Sequence, residues 1–259
     1  MVRNAASLRT ADLLGMFWRS FFIQASWSYD RLQSLGFAFA LLPALRRLYP
    51  DKAELSLRLA VHTEYFNTQP YLASFILGAA ARAEEERATG RKPDLDVTEL
   101  KTNLMAPLGA LGDSFFWGSL KPFAAAAAVA VLLAGAWWAP LLFLVLYNIV
   151  HVGLRLSLVF IGYSTQGDVL VLMSRYGFTR LARRYKVMSL AIVGCIVGTV
   201  SAWGPDFLPA VAMPAPGLAL AGLALTLVLT WLLRIGATPV KLMIGLAAAC
   251  LACALGGIV

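Results

Sequence analysis

The sequence is short of charge, of histidine and of cysteine, and each shortage removes a class of function. Only 14% of its 259 residues are charged, against roughly 25% in soluble globular domains, and its mean hydropathy is +0.72. That composition excludes an ordinary soluble domain and indicates a membrane protein. Its two histidines, His62 and His151, stand far apart, and no ligand-spaced cluster accompanies them, so neither a metal site nor a bound cofactor is expected. The three cysteines, Cys195, Cys250 and Cys253, all fall inside apolar segments and read as small hydrophobes rather than as disulfides. No phosphate-cradling P-loop and no activated nucleophile is recognisable, which weakens a membrane-embedded enzyme. The first ten residues, "MVRNAASLRT", are polar and basic and predict no cleavable signal peptide.

What charge there is sits unevenly. Residues 1–101 hold 13 basic and 11 acidic side chains (+2), whereas residues 102–259 hold 9 basic and 3 acidic ones (+6). The basic residues neighbour apolar runs, so the positive-inside rule accounts for them better than nucleic acid does. Residues 140–163, "PLLFLVLYNIVHVGLRLSLVFIGY", are long enough to cross a bilayer core of roughly 30 Å. After them "SRYGFTRLARRYK" (174–186) places five basic residues and no acid in what reads as a short cytoplasmic loop. Further spans are expected at 187–203, 217–233 and 242–259, which puts the C-terminus outside and the N-terminus in the cytoplasm.

The first 139 residues differ. Their apolar pieces, 13–27, 34–45, 70–81 and 123–139, are mostly too short to span and are punctuated by polar clusters, a pattern of re-entrant hairpins or broken helices. Residues 82–101, "RAEEERATGRKPDLDVTELK", are dense in charge and are expected to lie in cytoplasmic water as a helix end that breaks at Gly90 and Pro93. The expected fold is therefore an all-α polytopic membrane protein. It has one integral membrane domain, with a region of broken helices (1–139) followed by a helical bundle (140–259), and about four to six spans in total.

Three polar clusters interrupt the apolar background. In "HTEYFNTQP", Glu64, Asn67, Thr68 and Gln69 offer the donors and acceptors that a neutral polyol needs, and Tyr65 or Phe66 could cover an apolar sugar face. The competing reading makes Asn67 and Thr68 caps of the helix that starts near Pro70. In "APLGALGDSFFWGSLKP", three glycines flank Asp113 and Ser114, a helix-start pair, with Trp117 as an aromatic platform. Here the choice lies between a tight hairpin turn capped by Asp113 and a substrate site. On the long span, Asn148, His151 and Arg155 recur at spacings of three and four and form one stripe, structural or gating in role. An intramembrane arginine needs a partner, and Asp113 and Glu64 are the candidates. "GCIVG" at 194–198 has small-residue helix-packing spacing and is a weak signal.

These same stretches resemble the IID component of the mannose/fructose/sorbose-type phosphoenolpyruvate-dependent sugar phosphotransferase system. The resemblance runs through "FWRSFFIQASWSYDRLQSLGFAFALLPALRRLY", "EYFNTQPY", "GDSFFWGSLKP", "PLLFLVLYNIVH" and "VLTWLLRIGATPVKLMIG". Where the family usually reads Glu-Phe-Phe-Asn-Thr-His-Pro, this chain has Tyr65 and Gln69, and Ala106 stands where glycine is frequent. The resemblance implies an inner-membrane subunit that pairs with a IIC subunit and translocates a hexose-type sugar. It also implies phosphorylation by IIB, supplied through IIA, at the cytoplasmic face, no phosphoryl group on this chain, and oligomers of IIC–IID pairs in membrane lipid. A stand-alone secondary transporter or channel for small polar solutes is the alternative.

Overall fold

A computed structural model describes residues 7–93, 95–166, 168, 176–202, 224, 227–229, 231–232, 234–238, 240–242 and 244–248. Among them the chain is helical, and the only β pairing is two isolated bridges. Eight α-helices are defined: α1 (Thr10–Ser20), α2 (Ser34–Leu48), α3 (Lys52–His62), α4 (Ala73–Ala88), α5 (Val97–Gly112), α6 (Lys121–Leu133), α7 (Ala139–Thr165) and α8 (Phe178–Ala202). A π-helical segment, Asp113–Leu120, joins α5 to α6 without a break. The chain divides into two compact units, Met1–Ile192 and Val193–Val259. In the second, Thr199 Oγ1 donates to the Cys195 carbonyl and Cys195 is an exposed free thiol. The expected spans at 217–233 and 242–259 fall largely outside the described residues.

Among the described residues, two helices are long and apolar enough to cross a membrane: the composite Val97–Leu133, of 37 residues, and Ala139–Thr165, of 27. At 1.5 Å per residue the second extends about 40 Å, more than the roughly 30 Å of hydrocarbon. The composite helix removes one of the two readings of Asp113, the tight hairpin turn. Asp113 and Ser114 lie inside a continuous helix and cap nothing. The π winding has a local cause. Pro122 supplies no N–H to the carbonyl of Gly118, and a wider turn before it accommodates its ring. Ser119 Oγ, donating to the Ser114 carbonyl five residues back at 2.7 Å, follows that winding. The basic segment 174–186 is corrected as well: from Phe178 onward it is the start of α8, not a loop.

In the first unit α4 and α7 form the most extensive helix pair. A Cβ on Gly78 would lie 2.0 Å from the Val159 carbonyl oxygen, and one on Gly162 would lie 2.0 Å from that of Phe75. Two backbones meet there because neither carries a side chain. The apolar core, including Phe37, Phe66, Phe75, Ile76, Phe115, Phe116 and Leu158, surrounds this contact.

The acidic run at the end of α4 is a third correction, since Glu84, Glu85 and Glu86 are all buried. Glu84 accepts hydrogen bonds from two Arg58 nitrogens, from Tyr49 Oη at 2.7 Å and from His62 Nε2 at 3.0 Å. Glu85 accepts from the Leu8 amide, Arg82 and Tyr163, and Glu86 from Arg82 and Gln166. The run thus ties α4 to the entry of α1 and to α2, α3 and α7. Burial alone pushes the Glu84 carboxyl up, but hydrogen bonds from His62, Arg58 and Tyr49 outweigh it and hold the group at about 2. Burial pushes the His62 imidazole down, so the neutral ring donates through Nε2.

Two outcomes follow from this packing. Gly78→Val forces α4 off α7 and is expected to cost at least about 3 kcal/mol, the upper range for overpacking, read as a lowered melting temperature in detergent. An unchanged melting temperature would contradict the close approach. Glu84→Gln removes the buried charge that pairs with the half-buried Arg58 and is expected to cost on the order of 3 kcal/mol at neutral pH. Because the folded carboxyl titrates near 2 and the unfolded one near 4.5, that stabilisation is complete above pH 4.5. It drains away as pH falls toward 2, so wild type and variant converge there in unfolding measurements.

Candidate functional site

After His62 the chain leaves α3 and runs extended to Pro70. Backbone pairing holds its first part: the Phe66 amide donates to the Arg31 carbonyl at 3.4 Å and the Gln33 amide to the Phe66 carbonyl at 2.9 Å. Leu32, in the tight turn Ser28–Leu32, takes a left-handed φ of 50°, a conformation costly for a branched side chain. Next comes a side-chain clamp. Gln33 Nε2 donates to the Thr68 carbonyl at 2.9 Å, and Gln33 Oε1 accepts from the Thr68 amide at 3.3 Å. Thr68 Oγ1 donates to the Met105 carbonyl on α5 at 2.9 Å. Gln69, rather than Asn67 or Thr68, caps the turn at Pro70–Leu72 that opens into α4: its Oε1 accepts from the Tyr71 and Leu72 amides at 2.8 and 3.1 Å. Gly112 makes room for it, since a Cβ there would lie 2.6 Å from the Gln69 side chain.

This arrangement encloses one side of a cavity of about 600 Å³, within the usual range for small-molecule sites. Asn67, Thr68, Gln69 and Pro70 line it from the extended segment, and Thr102, Met105, Ala106, Gly109 and Ala110 from α5. Asp113 and Trp117 line it from the π-segment, Gln24, Trp27 and Gln33 from the α1–α2 connection, and Tyr65 from the same segment as Asn67. The aromatic rings of Trp27, Tyr65 and Trp117 are each about half exposed, at 57%, 54% and 51%. Gln69 Nε2 is buried and finds no hydrogen-bond partner among the described residues. Among the described residues the lining holds one carboxylate, Asp113, and no lysine or arginine.

Of the expected site residues, Asn67, Thr68, Gln69, Asp113 and Trp117 therefore meet at one cavity. Glu64 does not: it is exposed, accepts from Thr98 Oγ1 at 3.2 Å and lies 4.0 Å from Lys101 Nζ. Ser114 faces a different hollow, toward α8. Phe66 is buried on Phe37, centroids 4.2 Å apart, and covers no ligand face. The α7 stripe stands away from the cavity. Asn148 Nδ2 turns back to the Leu144 carbonyl at 2.7 Å. His151 stacks on Tyr71, ring centroids 4.4 Å apart. Arg155 is buried, and its partner is neither Asp113 nor Glu64: it donates to Ser20 Oγ at 3.1 Å and lies over the Phe21 and Tyr71 rings at 4.7 and 5.2 Å. Aromatic faces stand in for the expected carboxylate.

Sequence reasoning gave no role to Gln24, Trp27, Gln33 or Thr102. One signal was available, because the chain has four glutamines and three of them, Gln24, Gln33 and Gln69, line this cavity. Among the described residues no group of three acidic, histidine or cysteine side chains is placed to hold a metal.

A family model described as the PTS system mannose/fructose/sorbose family IID component matches residues 7–203. The chain belongs to this family. The mannose-specific EIID component of Escherichia coli strain K12 is 38% identical over 192 residues, covering 73% of this chain and 68% of the relative. The sorbose-specific EIID component of Klebsiella pneumoniae is 32% identical over 207 residues, 80% and 74% of the two chains. The fructose permease IID component of Bacillus subtilis is 28% identical over 260 residues, 92% and 93%. Among solved structures, the mannose transporter ManYZ in complex with microcin E492 matches with a TM-score of 0.59 at 31% identity, over 97% of this chain and 98% of that one. A structure described only as a membrane protein matches over the same shares with a TM-score of 0.74 at 31% identity. This IID chain is thus a membrane-embedded transport subunit of a mannose-family permease, and the stand-alone transporter or channel is not favoured.

An expected outcome isolates the clamp. Gln33→Leu keeps the volume but frees the Thr68 peptide inside the fold, at a cost of about 1–3 kcal/mol for each polar group left unsatisfied. Proteolysis of the 63–70 segment in detergent should quicken by at least about tenfold, and equal cleavage rates would contradict the role given to Gln33.

Proposed function

We propose that the cavity beside the 63–70 segment is the IID share of the sugar path, completed by a IIC subunit. The observation that carries this reading is the character of its lining: amides, hydroxyls and three exposed aromatic rings around a single carboxylate, with no cation. Each hydroxyl of a neutral sugar both gives and takes a hydrogen bond, and its C–H faces pack on aromatic rings. Gln69 has spent its oxygen on capping the turn that opens into α4 and keeps its NH2 for a ligand. Asp113 and Asn67 supply further acceptors. Named relatives that handle mannose, sorbose and fructose support a hexose-type substrate.

The chemistry of phosphorylation belongs elsewhere in the complex. Both histidines are buried, His62 against Glu84 and His151 beneath Tyr71, so neither is open to a phosphoryl donor. In this reading phosphate passes through IIA and IIB to the sugar at the cytoplasmic face, and this subunit contributes binding and translocation only. Rigid-body movement against IIC alternates access, and IIC–IID pairs assemble into oligomers. The short helices α1 to α4 form re-entrant and interfacial elements, about four to six helices cross the inner membrane, the N-terminus lies in the cytoplasm and the C-terminus outside.

Sugar uptake by cells carrying single variants tests the site. Gln69→Glu keeps the oxygen that caps the turn into α4 but removes the NH2 donor, and Asn67→Ala and Asp113→Ala remove the other ligands. Each is expected to lower uptake at least about tenfold, the scale of one lost hydrogen bond to a polar ligand, with membrane assembly unchanged. Normal uptake by all three at normal expression would sink the assignment.

A further inference from the structure

A second hollow, of about 260 Å³, lies between the π-segment and the start of α8 and shares no lining residue with the first cavity. Asp113 and Ser114, adjacent in sequence, face the two cavities in turn. The floor of the second is apolar: Phe115 and Phe178 meet edge to face with centroids 5.1 Å apart, and Ala182 packs beside them. Its rim is polar and positive. Arg183 and Lys186 stand three residues apart on the exposed side of α8, and the hydroxyls of Ser114 and Thr179 complete the ring. No acidic side chain lines this hollow, and neither Arg183 nor Lys186 has an ion-pair partner among the described residues. Arg180 and Arg184 add charge on the same helix, whose 25 residues include no acid.

We propose that this hollow binds the headgroup of an anionic phospholipid. The two cations and two hydroxyls suit a phosphate diester, which accepts hydrogen bonds and carries a full negative charge. The aromatic floor suits the glycerol and the first methylenes of the acyl chains, which a free anion lacks. A chain embedded in a bilayer meets such lipids at high local concentration, and basic pockets between membrane helices are where headgroups settle. Occupancy would tie α8 to the π-segment through a shared anion. The site makes no use of the sugar cavity, so its success or failure is independent of that reading.

The full chain, with any subunits that co-purify, would be placed in phosphatidylcholine nanodiscs containing a minor fraction of phosphatidylglycerol. Native mass spectrometry then counts the phosphatidylglycerol retained on release. Wild type is expected to keep it, and the double variant Arg183→Gln/Lys186→Gln to bind it about 30-fold more weakly, at the usual scale of two interfacial cations. Thr179→Trp fills the hollow without changing charge and is expected to fall to the level of the double variant. Arg91→Gln/Lys92→Gln, equal in charge but remote, should bind like wild type. Equal retention by the double variant, equal loss in the remote control, or wild type that keeps no lipid would overturn the proposal. So would displacement of the lipid by equimolar inorganic phosphate.

Discussion

The buried Gln33 carboxamide faces the peptide of Thr68 and exchanges two hydrogen bonds with it, one given and one taken. A side-chain amide here replaces the neighbouring strand that an extended segment would otherwise require. In an apolar protein this matters, because backbone groups without partners cost several kcal/mol in hydrocarbon surroundings. With Thr68 also anchored to the Met105 carbonyl, the 63–70 segment becomes a fixed wall rather than a mobile loop. The strained Leu32 turn and the Phe66–Gln33 backbone pair serve the same end. Every cavity-lining group of this segment depends on that attachment.

The wall stands on two rigid contacts. Gly78 and Gly162 let α4 and α7 touch backbone to backbone, and such an interface cannot slide without meeting side chains. At the far end of α4, Glu84 gathers Arg58, His62 and Tyr49, which fixes α3 and hence the residue from which the extended segment departs. Lys101 reinforces the same point by donating to the Val61 carbonyl at 2.8 Å. A subunit braced in this way suits rigid-body motion against a partner better than internal rearrangement.

Much of this was legible in the sequence. The α7 span announced itself by length, and Asn67, Gln69, Asp113 and Trp117 stood out as polar or aromatic interruptions between apolar runs. What could not be read was direction. Glu64 and Ser114 are neighbours of true lining residues and point elsewhere, a matter of a single residue in register. Glu84, Glu85 and Glu86 looked solvated because a charge run usually is; their hydrogen-bond partners include Arg58, Arg82 and the neutral His62, and Arg58 and His62 are more than twenty residues away. Arg155 found aromatic faces where a carboxylate was expected, and cation–π pairing has no sequence spacing. The glycine that mattered most for packing, Gly78, lay in no recognised motif, while "GCIVG" carried the familiar spacing.

The central claim is that sugar occupies the cavity walled by the 63–70 segment and α5. Its most direct test is substrate protection at Thr102, which is exposed on the α5 side of the cavity and caps nothing. With Thr102→Cys as the sole cysteine, in the transport-competent complex, alkylation by a small maleimide is timed with and without saturating hexose. The account predicts that transported sugar slows the reaction and that a non-transported polyol does not. Labelling at the same rate in both, in a complex that still takes up sugar, would contradict it.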